Sequence, residues 1–196
     1  IGKLSNLSLK LYSWYIKMGH ARDEKDVKAV KMFFETNLPA FNHEDLQFYE
    51  RMYLYQSYCW YGFILQDLLM YYRYAQKWVD LFSEQPLMVR VETGHYIKGI
   101  HNLLNAHFDL RNYQQFEKTL QRLKDLAKTD RVKDHDNFRI QTFIYISTAK
   151  MNQHFMHGTF KKGLLLIPAI ETELKEYDLF LDSHRVLVLN YKFAML

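Results

Sequence analysis

The stretch AHFDLRNYQQFEKTL, residues 106–120, has a second version of itself 47 residues on, QHFMHGTFKKGLLLI, residues 153–167. His107 falls on His154, Phe108 on Phe155, Tyr113 on Phe160 and Leu120 on Ile167; one turn back, Asn105 falls on Asn152. Apolar residues on both sides of the break recur at three and four, the helical period. Between them stands Asn112 in one version and Thr159 in the other, each able to cap the helix that follows. Each version therefore reads as helix, short turn, helix. Such a hairpin cannot bury its apolar face alone, so its recurrence along a chain predicts hairpins stacked on one another.

The pattern extends outward. The aromatic run YLYQSYCWYGFILQDLLMYYRY, residues 53–74, fits residues 95–116 at a shift of 42, with Tyr71 on Tyr113 and Trp78 on Leu120. A short signature recurs as Asn105-Ala-His-Phe, Asn152-Gln-His-Phe and Asn190-Tyr-Lys-Phe, with a weaker copy, Ser13-Trp-Tyr-Ile, near the start. The helical period predicts nine helices, over about 4–18, 25–37, 44–67, 69–84, 88–109, 112–127, 135–157, 159–176 and from 182 onward. Gly19 precedes a charged loop, and Pro39 and Pro86 follow helices that they cannot continue. Pro168 falls inside a helical pattern, where a kink is expected.

Composition agrees. Seven glycines and three prolines in 196 residues are too few turn formers for an all-β chain, and 16% aromatic residues argue against disorder. A net charge of +4 spread over both signs describes a mixed surface, not a nucleic-acid stripe. One cysteine excludes an internal disulfide framework and points to a reducing, cytoplasmic compartment. The run at 53–74 is no membrane span: the uncharged stretch between Arg51 and Asp67 is only 15 residues long, against the roughly 20 apolar residues a span needs. The chain starts at Ile1 and ends at Leu196 within an apolar pattern, as a piece of a longer protein would.

These residues resemble the tetratricopeptide repeat. Its pattern of large, small and aromatic positions is matched by Tyr61, Gly62, Leu65, Leu68, Tyr71, Trp78, Leu81 and Pro86 in one unit. The next units match it with Leu103, Leu104, His107, Leu110, Tyr113, Phe116, Leu120 and Leu123, and with Met151, His154, Gly158, Phe160, Gly163 and Ile167. The chain departs from the family in its longer periods, 42 and 47 against 34, and in Phe116 and Tyr74, where a small residue is usual. The resemblance implies an all-α fold: a right-handed α-solenoid of antiparallel helix hairpins, about four plus a final helix, in a single domain over residues 1–196.

It also implies that the first helix of each hairpin lines a concave face. The positions so placed are Ser13, Trp60, Phe63, His101, Asn102, Asn105, Phe108, Thr148, Asn152, Phe155 and Asn190. Asparagine carries a donor and an acceptor, so one per repeat could hold a peptide backbone while the phenylalanines supply apolar area; the same asparagines could instead bond neighbouring helices. Tyr53, Tyr55, Tyr58 and Trp60 lie on an extension that the family pattern does not require. His154 and His157 could share a helix face as metal ligands do, but no third ligand has suitable spacing, and the slot of His154 reads as packing. No phosphate loop, paired carboxylates or nucleophile elbow is present. The expectation is a non-catalytic scaffold that binds a protein or peptide, without cofactor or metal, as the docking or sensor part of a larger regulator. The alternatives are a helical repeat that binds nucleic acid and an α-helical enzyme using His154 and His157.

Overall fold

Leu4, Leu7 and Leu11 recur at three and four and are all buried, which sets the inward face of the first helix, α1 (Gly2–Met18). The same logic runs through α2 (Glu24–Asn37), α3 (Phe48–Ile64), α4 (Leu68–Glu84), α5 (Met88–Val91), α6 (Thr93–Asp109), α7 (Tyr113–Ala127), α8 (Asp130–Lys133), α9 (Asp136–Met156), α10 (Phe160–Glu176) and α11 (Asp182–Met195). The structure, a computed structural model, describes residues 1–40, 45–177 and 182–196, with the side chains of residues 182–184 left aside. Every regular element among the described residues is helical. The expected helix over 88–109 is two, a single turn of α5 before α6, and the short α8 carried no periodic signal. The expected start of the third helix at Glu44 lies outside the described residues. α10 runs uninterrupted through Pro168. Among the described residues no helix is long and apolar enough to cross a membrane.

One turn recurs. Among the described residues, positive φ occurs at Gly19, Gln66, Arg111 and Gly158, at spacings of 47, 45 and 47 (19 to 66, 66 to 111, 111 to 158). After Gln66 and Arg111 a capping residue follows at once: Asp67 accepts from the Met70 amide at 2.9 Å, and Asn112 from the Gln115 amide at 3.4 Å. Thr159, expected to cap α10, turns back instead, its hydroxyl 2.8 Å from Nδ1 of His154. The turns align residue 66 with 111, a shift of 45 beside the 42 read from the aromatic match. Burial follows the new register. Leu68, Tyr113 and Phe160 are each 41% exposed, whereas Tyr71 and Phe116 are sealed.

The chain divides into two compact units, Ile1–Leu110 and Arg111–Leu196. In the first, α3 and α4 form a hairpin whose contacts pair Gly62 with Tyr71, Tyr58 with Tyr74 and Phe48 with Phe82, converging on the turn. α1 instead runs parallel to α3: Ser8 meets Gln56, Tyr12 meets Trp60 and Tyr15 meets Phe63, each pair 48 residues apart. α6 packs on α4 through Phe82–Tyr96 and Tyr71–Asn102, and its own side chains reach α3 in parallel order, Glu92 to Tyr49, His95 to Gln56 and Lys98 to Trp60. The C-terminal carbonyls of α3 are taken up by the loop after α1: the Ala21 amide donates to Ile64 O at 2.8 Å, and His20 Nδ1 lies 2.9 Å from Phe63 O. Trp78, Tyr71, Phe82, Met52, Ile64 and Ile97 form the sealed centre.

In the second unit α9 packs against α7, α10 and α11. Met151, Ile167, Ile170, Leu174, Val188, Tyr191 and Met195 make its core. Glu117 of α7 accepts from Gln153 Nε2 and lies 3.6 Å from His157, and Tyr113 stacks on His157. α11 is tied to α9 by the Thr148 and Tyr191 hydroxyls, 2.6 Å apart.

Candidate functional site

Three parallel helices of the first unit leave a cleft of about 730 Å³ between them. Helical spacing decides what lines it. Tyr53, Gln56 and Trp60 stand at i, i+3 and i+7 on α3; Ser5, Ser8 and Tyr12 face them from α1, and His95 and Lys98, one turn apart, from α6.

Gln56, 5% exposed, bridges the two walls. Ser8 Oγ donates to its Oε1 at 3.1 Å, which leaves Nε2 to donate to His95 Nδ1, also at 3.1 Å. That chain requires Nδ1 unprotonated, hence a neutral imidazole with its proton on Nε2. Burial agrees: loss of hydration holds His95 below the usual histidine value, Glu92 opposing and Lys98 assisting. One turn on, burial and the Lys98 charge push His101 down to about 4. The Lys98 ammonium sits 3.5 Å from the centre of the Tyr12 ring and 5.4 Å from that of Trp60. The Trp60 ring is held by Tyr12 at 5.0 Å, Tyr15 at 5.2 Å and Trp78 at 6.0 Å, so this platform for the cation is rigid.

Of the residues expected on a concave face, Trp60 alone lines the cleft. Asn102 is buried and committed: it accepts from the Tyr71 hydroxyl at 3.0 Å and donates to Lys98 O at 2.8 Å. Asn105 Nδ2 lies 3.2 Å from His101 Nε2, one turn back on its own helix. Phe63 packs among Tyr15, His20 and Tyr71, and Ser13 and Phe108 are half-buried. In the second unit Thr148 bonds to Tyr191, Asn152 is half-buried, Phe155 is 47% exposed with its edge on Phe160, and Asn190 is exposed. Tyr55 and Tyr58, expected beside Tyr53, turn the other way and meet Tyr74 of α4.

His154 and His157 do not act together. The first faces Thr159 and the second faces Glu117 and Tyr113. No group of three or more His, Cys, Asp and Glu among the described residues is placed to hold a metal ion. Cys59 is fully buried, which pushes its thiol far above the usual range and keeps it from acting as a nucleophile. Ser5, Ser8, Gln56 and His95 are cleft residues that the sequence reading passed over. Their signal was the i, i+3, i+7 spacing around Tyr53, visible only once α1 and α6 are known to flank α3.

No family model matches the chain, no curated protein matches its sequence, and no solved structure matches its fold.

Proposed function

We propose that the chain is a right-handed α-solenoid of about four helix hairpins and a final helix, and that it binds a protein or peptide without catalysing a reaction. The recurring left-handed turn at 19, 66, 111 and 158, with matched burial after it, supports the stacked-hairpin part. The observation that carries the binding part is the α1–α3–α6 cleft. Its volume lies within the range of built ligand sites, and it combines the half-buried rings of Tyr12 and Tyr53, over a buried Trp60, with the polar side chains of Asn6 and Lys98. Its lining residues run from Gly2 to Tyr12 along α1, roughly 15 Å at 1.5 Å per residue, enough for four or five residues of extended peptide. Parallel first helices are the arrangement in which a solenoid offers a continuous inner surface.

Panning a random heptapeptide display library on the purified chain tests this. Recovered peptides should lose binding to a Tyr53→Ala variant that melts within a few degrees of the parent. Peptides that bind both chains equally would place the partner elsewhere and overturn the reading.

A further inference from the structure

The cleft carries a charge that no carboxylate among the described residues is paired with. Its lining holds Lys98, Lys10 and His95 and no aspartate or glutamate. Among the described residues Lys98 has no ion pair; its only close partners are the faces of Tyr12 and Trp60. Glu92, the nearby carboxylate, is taken by the Tyr49 hydroxyl at 2.9 Å and by the flank of His95. A half-buried ammonium gives up part of its hydration and receives from two rings less than a carboxylate would return. Gln56 faces inward with both ends of its amide already bonded, to Ser8 and to His95, so the cleft floor is neutral. The surroundings of Lys98 are therefore built for an anion on an apolar stem.

We propose that the cleft takes an acidic side chain of an extended peptide, its carboxylate paired with Lys98 Nζ and an adjoining apolar residue laid against Tyr53 and Trp60. The inference rests on the peptide-binding reading above and names the residue that the cleft selects. Pairing in a partly dry cleft is charge-assisted and gives selectivity over the isosteric amide, because the amide leaves the ammonium unanswered.

The probes are fluorescein-labelled heptapeptide pools blocked at both ends, with glutamate, glutamine or lysine fixed at the centre and apolar residues beside it. By fluorescence anisotropy the glutamate pool should bind the intact chain at least about ten-fold more tightly than the glutamine pool. Lys98→Met, which keeps the stem over the rings, should erase that preference, and Lys98→Arg should keep it. Equal binding of the glutamate and glutamine pools, or preference for lysine, would overturn the acidic selectivity while leaving peptide binding intact. Binding of none of the pools would overturn both. The comparison of pools on the unaltered chain needs no variant to fold.

Discussion

A Cβ placed on Gly62 would stand 2.8 Å from the backbone nitrogen of Tyr71 and 3.3 Å from Asp67 O. Both contacts are backbone, which cannot swing aside, so α3 and α4 close their turn at a distance only glycine permits. Gly62→Ala should lower stability by about 2–3 kcal/mol, by forcing the hairpin open. Gly19→Ala, where φ is +66° but the space is empty, should cost about 1 kcal/mol from backbone strain alone. Urea unfolding of the two variants checks the order; equal losses would mean that the close approach is unimportant.

Asn102→Ala should cost about 1–3 kcal/mol, because it strands the Tyr71 hydroxyl in the core. Asn105→Ala together with Asn152→Ala should leave the melting temperature nearly unchanged, since both side chains are only half-buried and Asn105 bonds to His101 within its own helix. Thermal melts followed by circular dichroism separate these outcomes. If the double variant keeps its melting point and loses a peptide selected on the parent, the asparagines contribute to binding as well.

His101 is held near pKa 4 in the folded chain and titrates near 6.5 when unfolded. Between those values the unfolded chain takes up a proton that the folded chain refuses, so stability falls as pH is lowered from 6.5 towards 4 and is level above. His95, lowered for the same reason, adds to the fall. Measured by urea unfolding at pH 7 and pH 5, His101→Gln should remove on the order of 1 kcal/mol of this loss, the figure being discounted for its partial exposure. A loss identical in parent and variant would assign the pH dependence to other groups.

Native Cys59 should resist Ellman's reagent at pH 8 and react fully in 6 M guanidinium, because burial disfavours its thiolate. Reaction of the native chain on the time scale of a free thiol would show that α3 opens readily.

Gln66 and Arg111 occupy left-handed backbone at φ 58° and 53°. Gln66→Gly should stabilise the chain by up to about 1 kcal/mol, strain relief exceeding the added freedom of the unfolded state. A rise of a few degrees in melting temperature checks this; a fall would mean that the Gln66 side chain contributes more than its backbone costs.

The helices were legible because their apolar spacing is regular and because Asn112, Pro39 and Pro86 mark breaks between them. The register was harder. Tyr71 and Tyr113 invite alignment as like residues, yet one is sealed and the other 41% exposed. Aligned on the positive-φ turns, Tyr113 stands opposite Leu68, and those turns use Gln66 and Arg111, which carry no signal for positive φ. Tyr53 and Trp60 stood out in the sequence. Ser8, Gln56 and His95 did not, because their pairing depends on a 48-residue offset between α1 and α3 that no local pattern encodes.

The close approach at Gly62 has a counterpart between α9 and α10. There His154 takes the place of Gly62, and glycine appears across the hairpin at Gly163, where an added Cβ would lie 3.3 Å from that of His154. One member of each pair is glycine, but not the same member. The room at a hairpin neck can thus be yielded by either helix, so which of the two carries the glycine follows from what presses on it: backbone of the turn at Gly62, the side chains of Met195 and His154 at Gly163.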